Sequence, residues 1–433
     1  MRRTSLSLPS FRRRPASRAT WSRMSIVAVL MVLSTSFGIV VGSQSGGHSG
    51  VHASTMLTQL PEFDVVEETY DAIRENWVLN DEISDQELMY GAASGMIEAL
   101  GDEGHSSFLD PQEALDFERS SRGELIGIGI QVDVTGPLPV VIAPIDGSPA
   151  FEAGIQSGDV IIAVDGTLSA DVGAEDVVDL IRGEAGTDVN LTIRHQDELE
   201  PIELTITRAL IDVDPVSYIM MPNDVLWLRV SQFSAGATEG VVEALRYGQS
   251  QGMTSVILDL RNNPGGLVFE AIGIGSQFLP ANSVLYQEQD ADGSVREVNT
   301  LGSGGEWQDG DLVVLINNGS ASASEIVSSG IKSNDRGTVL GETTFGTGTV
   351  LLPFPLSDDS VALLGIKLWL TADGEQIWKQ GVDPDIEVTL EPGVSPTLPF
   401  QFEAEMVGDE DLASLDDAQL LAGFVEASGA VPD

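Results

Sequence analysis

Hydrophobic positions divide the chain into segments with different periods. Between residues 60 and 122, apolar side chains recur at helical spacing, first at Phe63, Val66, Tyr70, Ile73 and Trp77. A second run of this kind spans Leu88–Leu100. Repeats of three and four residues place one apolar stripe along a helix. The pattern therefore predicts a helical N-terminal region over residues 60–122.

Residues 123–210 follow a different pattern, in which short apolar runs alternate with Gly, Pro and Asp turns. Such spacing is typical of strands. The predicted strands are Ile126–Val134, Val140–Ile142, Val160–Val164, Val189–Ile193 and Ile202–Ile206. One helix is predicted at Ala174–Ile181. The segment is expected to form a small β-rich module.

Residues 211–390 place strand-like apolar runs beside helical ones, which predicts an α/β layer structure. The runs are Leu226–Val230, Val256–Leu260, Leu312–Ile316 and Val339–Leu340. Residues 391–433 are acidic, with one amphipathic stretch over Leu412–Val425, and are expected to form a loosely attached tail. The fold class is therefore mixed α/β, or α+β, with a helical N-terminal region.

The first 59 residues have the pattern of a targeting segment. Residues 1–23 contain seven arginines and no acid, and an apolar run follows over Met24–Val41. A basic flank before about 18 apolar residues predicts a signal anchor over residues 24–42, with the rest outside the cytoplasm. Residues 43–59 are rich in Gly and Ser and predict a flexible linker. Cleavage of the signal would instead give a secreted protein.

Charge and residue scarcity exclude several classes of function. Past residue 23 the chain has 14 basic and 67 acidic residues, a net charge of −53, which excludes general nucleic-acid binding. There is no cysteine, so disulfides and thiol chemistry are excluded. The four histidines lack metal-ligand spacing in a structured context, and no metal or cofactor is expected. The histidines are His48, His52, His105 and His195, and the lysines are Lys332, Lys367 and Lys379.

A Ser/Ala-rich turn over Asn318–Ile326 carries the strongest chemical signal. It follows the strand-like run Leu312–Ile316 and precedes a helical segment. A serine on a sharp strand-to-helix turn presents its hydroxyl beside free backbone N–H groups, which suit a developing oxyanion. The alternative is an ordinary serine-rich helix N-cap.

Four segments resemble, in order and spacing, the C-terminal processing proteases, the tail-specific serine peptidases of family S41. They are a PDZ-like stretch, a strand-to-loop stretch, the serine turn and a closing stretch, at Gly147–Gly166, Leu258–Gly266, Asn318–Ile326 and Gly381–Ile386. The resemblance covers roughly residues 60–390. It implies a PDZ-like module over residues 123–210 and a protease core with crotonase/ClpP-like layers over residues 211–390.

The resemblance also implies roles for individual residues. Ser322 would be the nucleophile, and the N–H groups of Ala323 and of Gly265 or Gly266 would form the oxyanion hole. The PDZ-like module would capture the C-terminus of a protein substrate by strand addition. Its carboxylate-binding segment would be Gly127, Ile128, Gly129 and Ile130. The alternative for that segment is an ordinary strand that contains glycine.

One departure from the family pattern puts the activity in question. The family's base is a lysine in a Phe-Gly-Lys-Gly segment, 25 residues after the nucleophile, where this chain has Thr347. The supporting glutamine is replaced by Leu351. Threonine has no usable pKa near neutrality and cannot accept the serine proton. None of the three lysines is well placed to replace the missing amine.

His105 is the candidate for the missing base. It lies in a Leu-Gly…His loop similar to the loop that supplies the histidine base in tricorn-type proteases. An imidazole is well matched to deprotonating a serine near pH 7. The alternative is a histidine that only packs or hydrogen-bonds in the loop. Asp102 and Glu103 are either orienting carboxylates or solvated loop acids.

Two other residues near these motifs have simple structural interpretations. Arg261 is expected to donate hydrogen bonds within its loop, and Glu325 to compensate the dipole of the helix that it opens.

Two functions fit these observations. The first is a membrane-anchored serine endopeptidase that acts on protein C-termini outside the cytoplasm. The second is a catalytically inactive pseudoprotease that binds peptides as a scaffold, which the replacements at Thr347 and Leu351 favour. Peripheral helices could also pair between subunits and give a homo-oligomer.

Overall fold

The computed structural model describes residues 60–433 except 103–104, 135, 137, 146, 157, 196–199, 392–393, 403–405 and 432–433. The basic segment, signal anchor and linker predicted from the sequence lie outside these residues. No helix within them has both the length and the apolar character needed to cross a bilayer. The chain divides after Ile83 into two compact units, and each is described by itself.

The described residues of the first unit form α1 (Asp64–Asn76), an α-helix between 3₁₀ turns at Pro61–Phe63 and Asn80–Glu82. The Arg74 guanidinium donates to the backbone oxygens of Asn80, at 3.2 Å, and Ile83, at 2.8 Å. These bonds hold the segment that follows α1 against the last turns of the helix. The helical prediction is confirmed here.

The second unit opens with α2 (Asp85–Glu98), β1 (Ser107–Leu109) and α3 (Pro111–Ser121). A capping box begins α2: the Ser84 hydroxyl accepts from the Glu87 amide at 3.1 Å, and Ser84 N–H donates to the Glu87 carboxylate at 2.6 Å. Asp110 begins α3 in the same way. Reciprocal caps of this kind satisfy two amides that a helix start leaves unpaired.

The β-rich module contains eight strands: β2 (Glu124–Gly127), β3 (Ile130–Asp133), β4 (Val140–Pro144), β5 (Val160–Val164), β6 (Thr167–Leu168), β7 (Asp188–Arg194), β8 (Ile202–Thr207) and β9 (Ala209–Asp212). Its helices are α4 (Pro149–Glu152), α5 (Ser169–Val172) and α6 (Ala174–Ile181). The main sheet has the order β3-β4-β5-β7-β8, with β6 beside β5, and β2 pairs separately with β9. The helix predicted at residues 174–181 is confirmed.

The prediction of a single strand over Ile126–Val134 was wrong. The run Ile126–Val134 forms two strands, β2 and β3, which pair with different partners. Gly129 lies between them at φ 80°, and a Cβ there would come within 2.3 Å of the Ser148 Cβ. A backbone turn that only glycine accommodates thus ends one strand before the next begins.

The core is built on a six-stranded sheet with the order β10-β11-β12-β15-β16-β19. Its strands are β10 (Val216–Met221), β11 (Val225–Val230), β12 (Ser255–Asp259), β15 (Asp311–Ile316), β16 (Thr338–Gly341) and β19 (Ile386–Glu387). All neighbours run parallel except β10 and β11. One face packs against α7 (Ala237–Gln251), α8 (Val268–Phe278) and α9 (Ala323–Ser333). The predicted α/β layers are confirmed.

A second sheet lies beside these helices. It consists of β13 (Val284–Gln289), β14 (Val295–Asn299), β17 (Thr349–Pro355) and β18 (Val361–Leu370), together with β1. Strand β18 pairs with β1, β13 and β17. Because β1 follows the His105 loop directly, this pairing brings the end of the helical region against the core.

The C-terminal segment covers the other face of the six-stranded sheet. It forms α10 (Asp409–Ala413) and α11 (Ala418–Ser428), and Leu412, Leu420 and Phe424 are fully buried against that face. The amphipathic stretch is helical, but the expectation that the tail is loosely attached was wrong. The apolar side of an acidic amphipathic stretch completes the core here.

A buried ion cluster ties this segment to the loop after β12. The Arg261 guanidinium donates to both carboxylate oxygens of Asp259, at 3.0 and 2.7 Å, and to both of Asp417, at 2.8 and 2.9 Å. All three side chains are inaccessible to solvent. Burial alone would raise the pKa of Asp259, but the guanidinium groups of Arg261 and Arg229 outweigh it and hold the pKa below its usual range.

We expect Asp417→Asn to lower the free energy of unfolding by about 3–5 kcal/mol, because it leaves a buried guanidinium with one charged partner instead of two. The neighbouring Asp416→Asn is the matched control, since Asp416 is exposed and its removal should change stability by less than about 0.5 kcal/mol. Denaturant unfolding followed by tryptophan fluorescence measures both. Equal midpoints for the two variants would contradict the importance of this cluster.

Candidate active site

The candidate site lies at the carboxyl edge of the six-stranded sheet. Strands β12 and β15 are parallel neighbours that end at Asp259 and Ile316. The loops that follow parallel strands meet at the same edge, which is where α/β sheets commonly bind ligands. The Ala321 amide donates to the Asn263 oxygen at 3.0 Å and joins the two loops.

Ser322 is the residue immediately before α9, and its backbone is strained. Its φ is 53° and its ψ is −112°, values that residues other than glycine rarely adopt. The Ser322 N–H donates to Glu325 Oε2 at 2.8 Å and to Thr347 Oγ1 at 2.9 Å. In the described part of the chain, the Ser322 hydroxyl has no hydrogen-bond partner. The turn therefore leaves the Ser322 hydroxyl available to react.

Two backbone amides of these loops have no acceptor in the described residues. They belong to Ala323, the first residue of α9, and to Gly266. The Gly265 amide is instead used by Asn263 Oδ1 at 2.9 Å. A Cβ at Gly265 would lie 2.6 Å from that of Ser322, so glycine allows the two loops to approach this closely. The sequence left Gly265 and Gly266 as alternatives, and the free amide is that of Gly266.

Glu325 does more than compensate a helix dipole. Its carboxylate is buried, and Oε1 accepts from the Thr344 hydroxyl at 2.6 Å and the Gly346 amide at 2.7 Å. Oε2 accepts from the Thr347 hydroxyl at 2.7 Å, in addition to the Ser322 amide. Sequence reasoning missed this role, because the contacts cross from α9 to the segment before β17.

Thr347 lies beside the serine turn, as its position 25 residues after Ser322 predicts from the family pattern. Its hydroxyl accepts from the Ser322 amide and donates to Glu325, so both of its hydrogen-bonding capacities are engaged. Leu351 is half-buried on β17. The Thr347 hydroxyl thus supports the backbone of the turn.

Among the described residues, none of the three lysine ammonium groups is hydrogen-bonded to the serine turn. Lys332 contacts the Asp383 oxygen at 2.6 Å and the Asp385 carboxylate at 3.2 Å. Lys367 pairs with the carboxylates of Glu288 and Asp290, at 3.1 and 3.2 Å, in the second sheet. The Lys379 ammonium lies 4.7 Å from the centre of the Trp378 ring.

His105 lies in the loop between α2 and β1, and its side chain is 8% exposed. Its Nδ1 is hydrogen-bonded to Thr349 Oγ1, at the start of β17. No direct hydrogen bond joins His105 to Ser322 among the described residues. Burial lowers the pKa of His105 from its ordinary value near 6.5, an effect that the Asp102 carboxylate partly opposes. The imidazole is therefore neutral near pH 7.

Asp102 is not a solvated loop acid. Its side chain is 10% exposed and accepts from the Ser106 hydroxyl at 2.6 Å, Trp378 Nε1 at 3.0 Å and the Thr349 hydroxyl at 3.3 Å. Glu103 lies outside the described residues. Among those that are described, no group of three or more histidine and carboxylate side chains is placed to hold a metal ion.

The candidate peptide-binding segment turns from β2 into β3. Gly127 pairs with Ala209 on β9, Ile128 is buried, Gly129 has a positive φ, and Ile130 begins β3. Strand β3 ends the strand order of its sheet, so its outer edge carries no strand in the described part of the chain. An edge of this kind can receive an added peptide strand.

A cavity of about 1120 Å³ separates this module from the core. Its lining includes Leu125 and Ile130 on the module side and Ser231, Gln232 and Ser234 on the core side. Phe233 N–H, within the second segment, donates to the Gly265 oxygen at 2.9 Å. The cavity therefore borders the open sheet edge and a segment of the core that is hydrogen-bonded to the loop at Gly265.

The chain matches two family models: peptidase family S41 over residues 224–388, and a PDZ domain over residues 140–195. It is 32% identical to carboxy-terminal processing protease CtpA of Bacillus subtilis, over 84% of this chain and 76% of that protein. It is 35% identical to a carboxyl-terminal-processing protease of Synechocystis sp., over 76% of this chain and 78% of that protein.

Among solved structures, an S41 protease from Bacteroides fragilis shares the fold, with a TM-score of 0.54 at 18% identity over 74% of this chain and 89% of that one. The photosystem II D1 C-terminal processing protease matches with a TM-score of 0.49 at 28% identity, over 78% of this chain and 95% of that one. This protein is a PDZ-containing member of the C-terminal processing serine proteases of peptidase family S41.

Proposed function

We propose that this protein is a membrane-anchored serine endopeptidase that acts outside the cytoplasm. It holds protein C-termini in its PDZ domain and cleaves the bound chain through an acyl-enzyme at Ser322. The observation that carries this proposal is the serine turn, where the Ser322 hydroxyl lies on a strained backbone at the start of α9 and closely approaches the loop at Gly265.

His105 is the proposed base. The Ser322 oxygen attacks the substrate carbonyl carbon, and its proton passes to His105 Nε2. The imidazolium then protonates the departing amine, and water hydrolyses the acyl-enzyme by the same route. Support comes from the neutral imidazole, the engaged Thr347 hydroxyl and the pairing of Lys332 and Lys367 with carboxylates.

The amides of Ala323 and Gly266 form the proposed oxyanion hole. Both lack an acceptor in the described residues, and the first also begins α9, whose dipole favours negative charge. Preorganised donors of this kind stabilise the charge that develops on the carbonyl oxygen without reorganising during the reaction.

Substrate capture is assigned to the segment from Gly127 to Ile130 and the open edge of β3. An added strand from the substrate would pair with this edge, and the cavity beside Ile130 would let the chain continue toward the loop at Gly265. The expected partners are proteins with an accessible C-terminus. Self-association stays a prediction from the sequence.

The anchor is assigned to residues 24–42, because seven arginines precede an apolar run long enough to span a bilayer. Arginine-rich flanks stay in the cytoplasm, which would place the PDZ and protease regions outside it.

A peptide-binding scaffold without turnover is the second candidate. It is favoured by one observation, the replacement of the family lysine by Thr347, whose hydroxyl is fully engaged with Ser322 N–H and Glu325. The intact serine turn favours the enzyme over this alternative.

The full-length protein should cleave an unstructured substrate that has an apolar C-terminus. Ser322→Ala should abolish cleavage, and His105→Ala should lower kcat/KM at least about 10²-fold, the usual scale for losing a general base. Lys332→Ala and Lys367→Ala are the matched controls and should retain most of the activity. Substrate binding without any cleavage would support the scaffold, and loss of cleavage in a lysine variant alone would refute His105 as the base.

The pH dependence of kcat/KM should reflect the lowered pKa of His105, the proposed base. His105 can accept a proton only when it is deprotonated, so kcat/KM should rise with pH and reach its plateau by about pH 7. Because burial lowers the pKa of His105, the midpoint of the acid limb should lie below 6.5. A limb that rises only above about pH 8 would indicate a lysine base instead.

Membrane attachment can be tested within the apolar run. The wild-type protein should remain in the membrane fraction after alkaline carbonate washing. Leu33→Arg should release much of it, because arginine near the centre of a membrane helix costs roughly 2.5–3.5 kcal/mol. Measuring the membrane-bound fraction of both proteins checks this, and equal retention would argue against an anchor in this run.

A further inference from the structure

The His105 loop and the start of β17 share a buried hydrogen-bonded cluster. Thr349 Oγ1 contacts both His105 Nδ1 and Asp102 Oδ2, while the imidazole and the carboxylate do not bond directly, since Nδ1 and Oδ2 are 4.0 Å apart. A hydroxyl therefore bridges the two groups.

We propose that Thr349 and Asp102 are positioning residues that hold His105 in the tautomer with its proton on Nδ1 and a free lone pair on Nε2. This inference rests on the proposed function, in which His105 is the base. In this arrangement the imidazole donates to the Thr349 oxygen, and the Thr349 hydroxyl donates to Asp102.

The direction of this relay follows from counting donors at the carboxylate. An ionised carboxylate only accepts, and Asp102 receives the Ser106 hydroxyl, Trp378 Nε1 and the Thr349 hydroxyl. A threonine hydroxyl has one proton. Once Thr349 donates that proton to Asp102, its oxygen can only accept from His105, so the imidazole proton must lie on Nδ1.

Burial makes this arrangement costly to break. The side chains of His105 and Asp102 are 8% and 10% exposed, and Thr349 is 6% exposed. Of the described charged groups, Asp102 belongs to the cluster itself, and the Lys379 ammonium lies over the ring of Trp378, whose Nε1 donates to Asp102. An acceptor or donor left unpaired at this depth would lose its hydration without replacement.

The relay is also joined to the serine turn through the chain. Thr349 follows Thr347 by two residues, and the Thr347 hydroxyl accepts the Ser322 N–H. One short segment therefore supports the nucleophile at one end and the proposed base at the other. Both positions are threonines. The Thr347 hydroxyl bridges the Ser322 amide and Glu325, and the Thr349 hydroxyl bridges His105 and Asp102.

The test compares two variants of Thr349 in the full-length protein. Thr349→Val keeps the shape and removes the hydroxyl, whereas Thr349→Ser keeps the hydroxyl. Nitrogen-15 NMR of labelled histidine reports the tautomer, with His105→Gln identifying the signal. We expect the Nδ1–H form in wild type and Thr349→Ser, and a shift toward Nε2–H in Thr349→Val. In the cleavage assay, Thr349→Val should lower kcat by about tenfold or more with KM unchanged, and Thr349→Ser should restore most of it.

Asp102→Asn provides a second measurement if Thr349→Val does not fold. The Asp102 charge raises the pKa of His105, so its removal should move the histidine titration to lower pH. Thr205→Val, a change at an exposed hydroxyl of β8, should alter neither the tautomer nor the titration.

The outcomes separate the relay from the proposed function. An Nε2–H imidazole in the wild-type protein, or the same tautomer and kcat in Thr349→Val as in wild type, overturns the relay. The expected tautomers without turnover in any protein, wild type included, support the relay and refute the peptidase.

Discussion

The guanidinium of Arg261, buried between two carboxylates, is the interaction on which the rest of the site depends. It joins the end of β12, through Asp259, to the start of α11, through Asp417. The same loop continues to Gly265, which closely approaches Ser322. An unpaired buried charge is so costly that few arrangements of this loop keep all three groups satisfied. The C-terminal helices are therefore part of the core, although the S41 family model matches only as far as residue 388.

Backbone strain at Ser322 is the second constraint, and it is offset by a buried carboxylate. The positive φ of Ser322 brings its hydroxyl out of the turn, and Glu325 holds the turn by accepting the Ser322 amide. The same carboxylate binds Thr344, Gly346 and Thr347. The Glu325 carboxylate thus joins the nucleophile turn to the segment that carries a lysine in related proteases. In this chain the Thr347 hydroxyl adds a further hydrogen bond between the two.

The replacement of that lysine changes the chemistry required of the surrounding residues. Thr347 can support a backbone amide but cannot accept the serine proton. An imidazole from the helical region, bridged through Thr349 to Asp102, is the group that we propose takes over this role. Such a base is neutral at physiological pH without the strong perturbation that an amine needs.

The sequence by itself determined the α/β layers, the helix at residues 174–181 and the serine turn, because each depends on local periodicity or on spacing along the chain. It also placed Thr347 beside Ser322, through its resemblance to a family. It failed where a glycine turn split one apolar run into two strands, and where an acidic tail buried its apolar side. The partners of Arg261, Glu325 and His105 were decided only by the tertiary structure. Asp417, Thr347 and Thr349 lie far along the chain from Arg261, Glu325 and His105 respectively, and only the packed structure brings these polar groups within bonding distance.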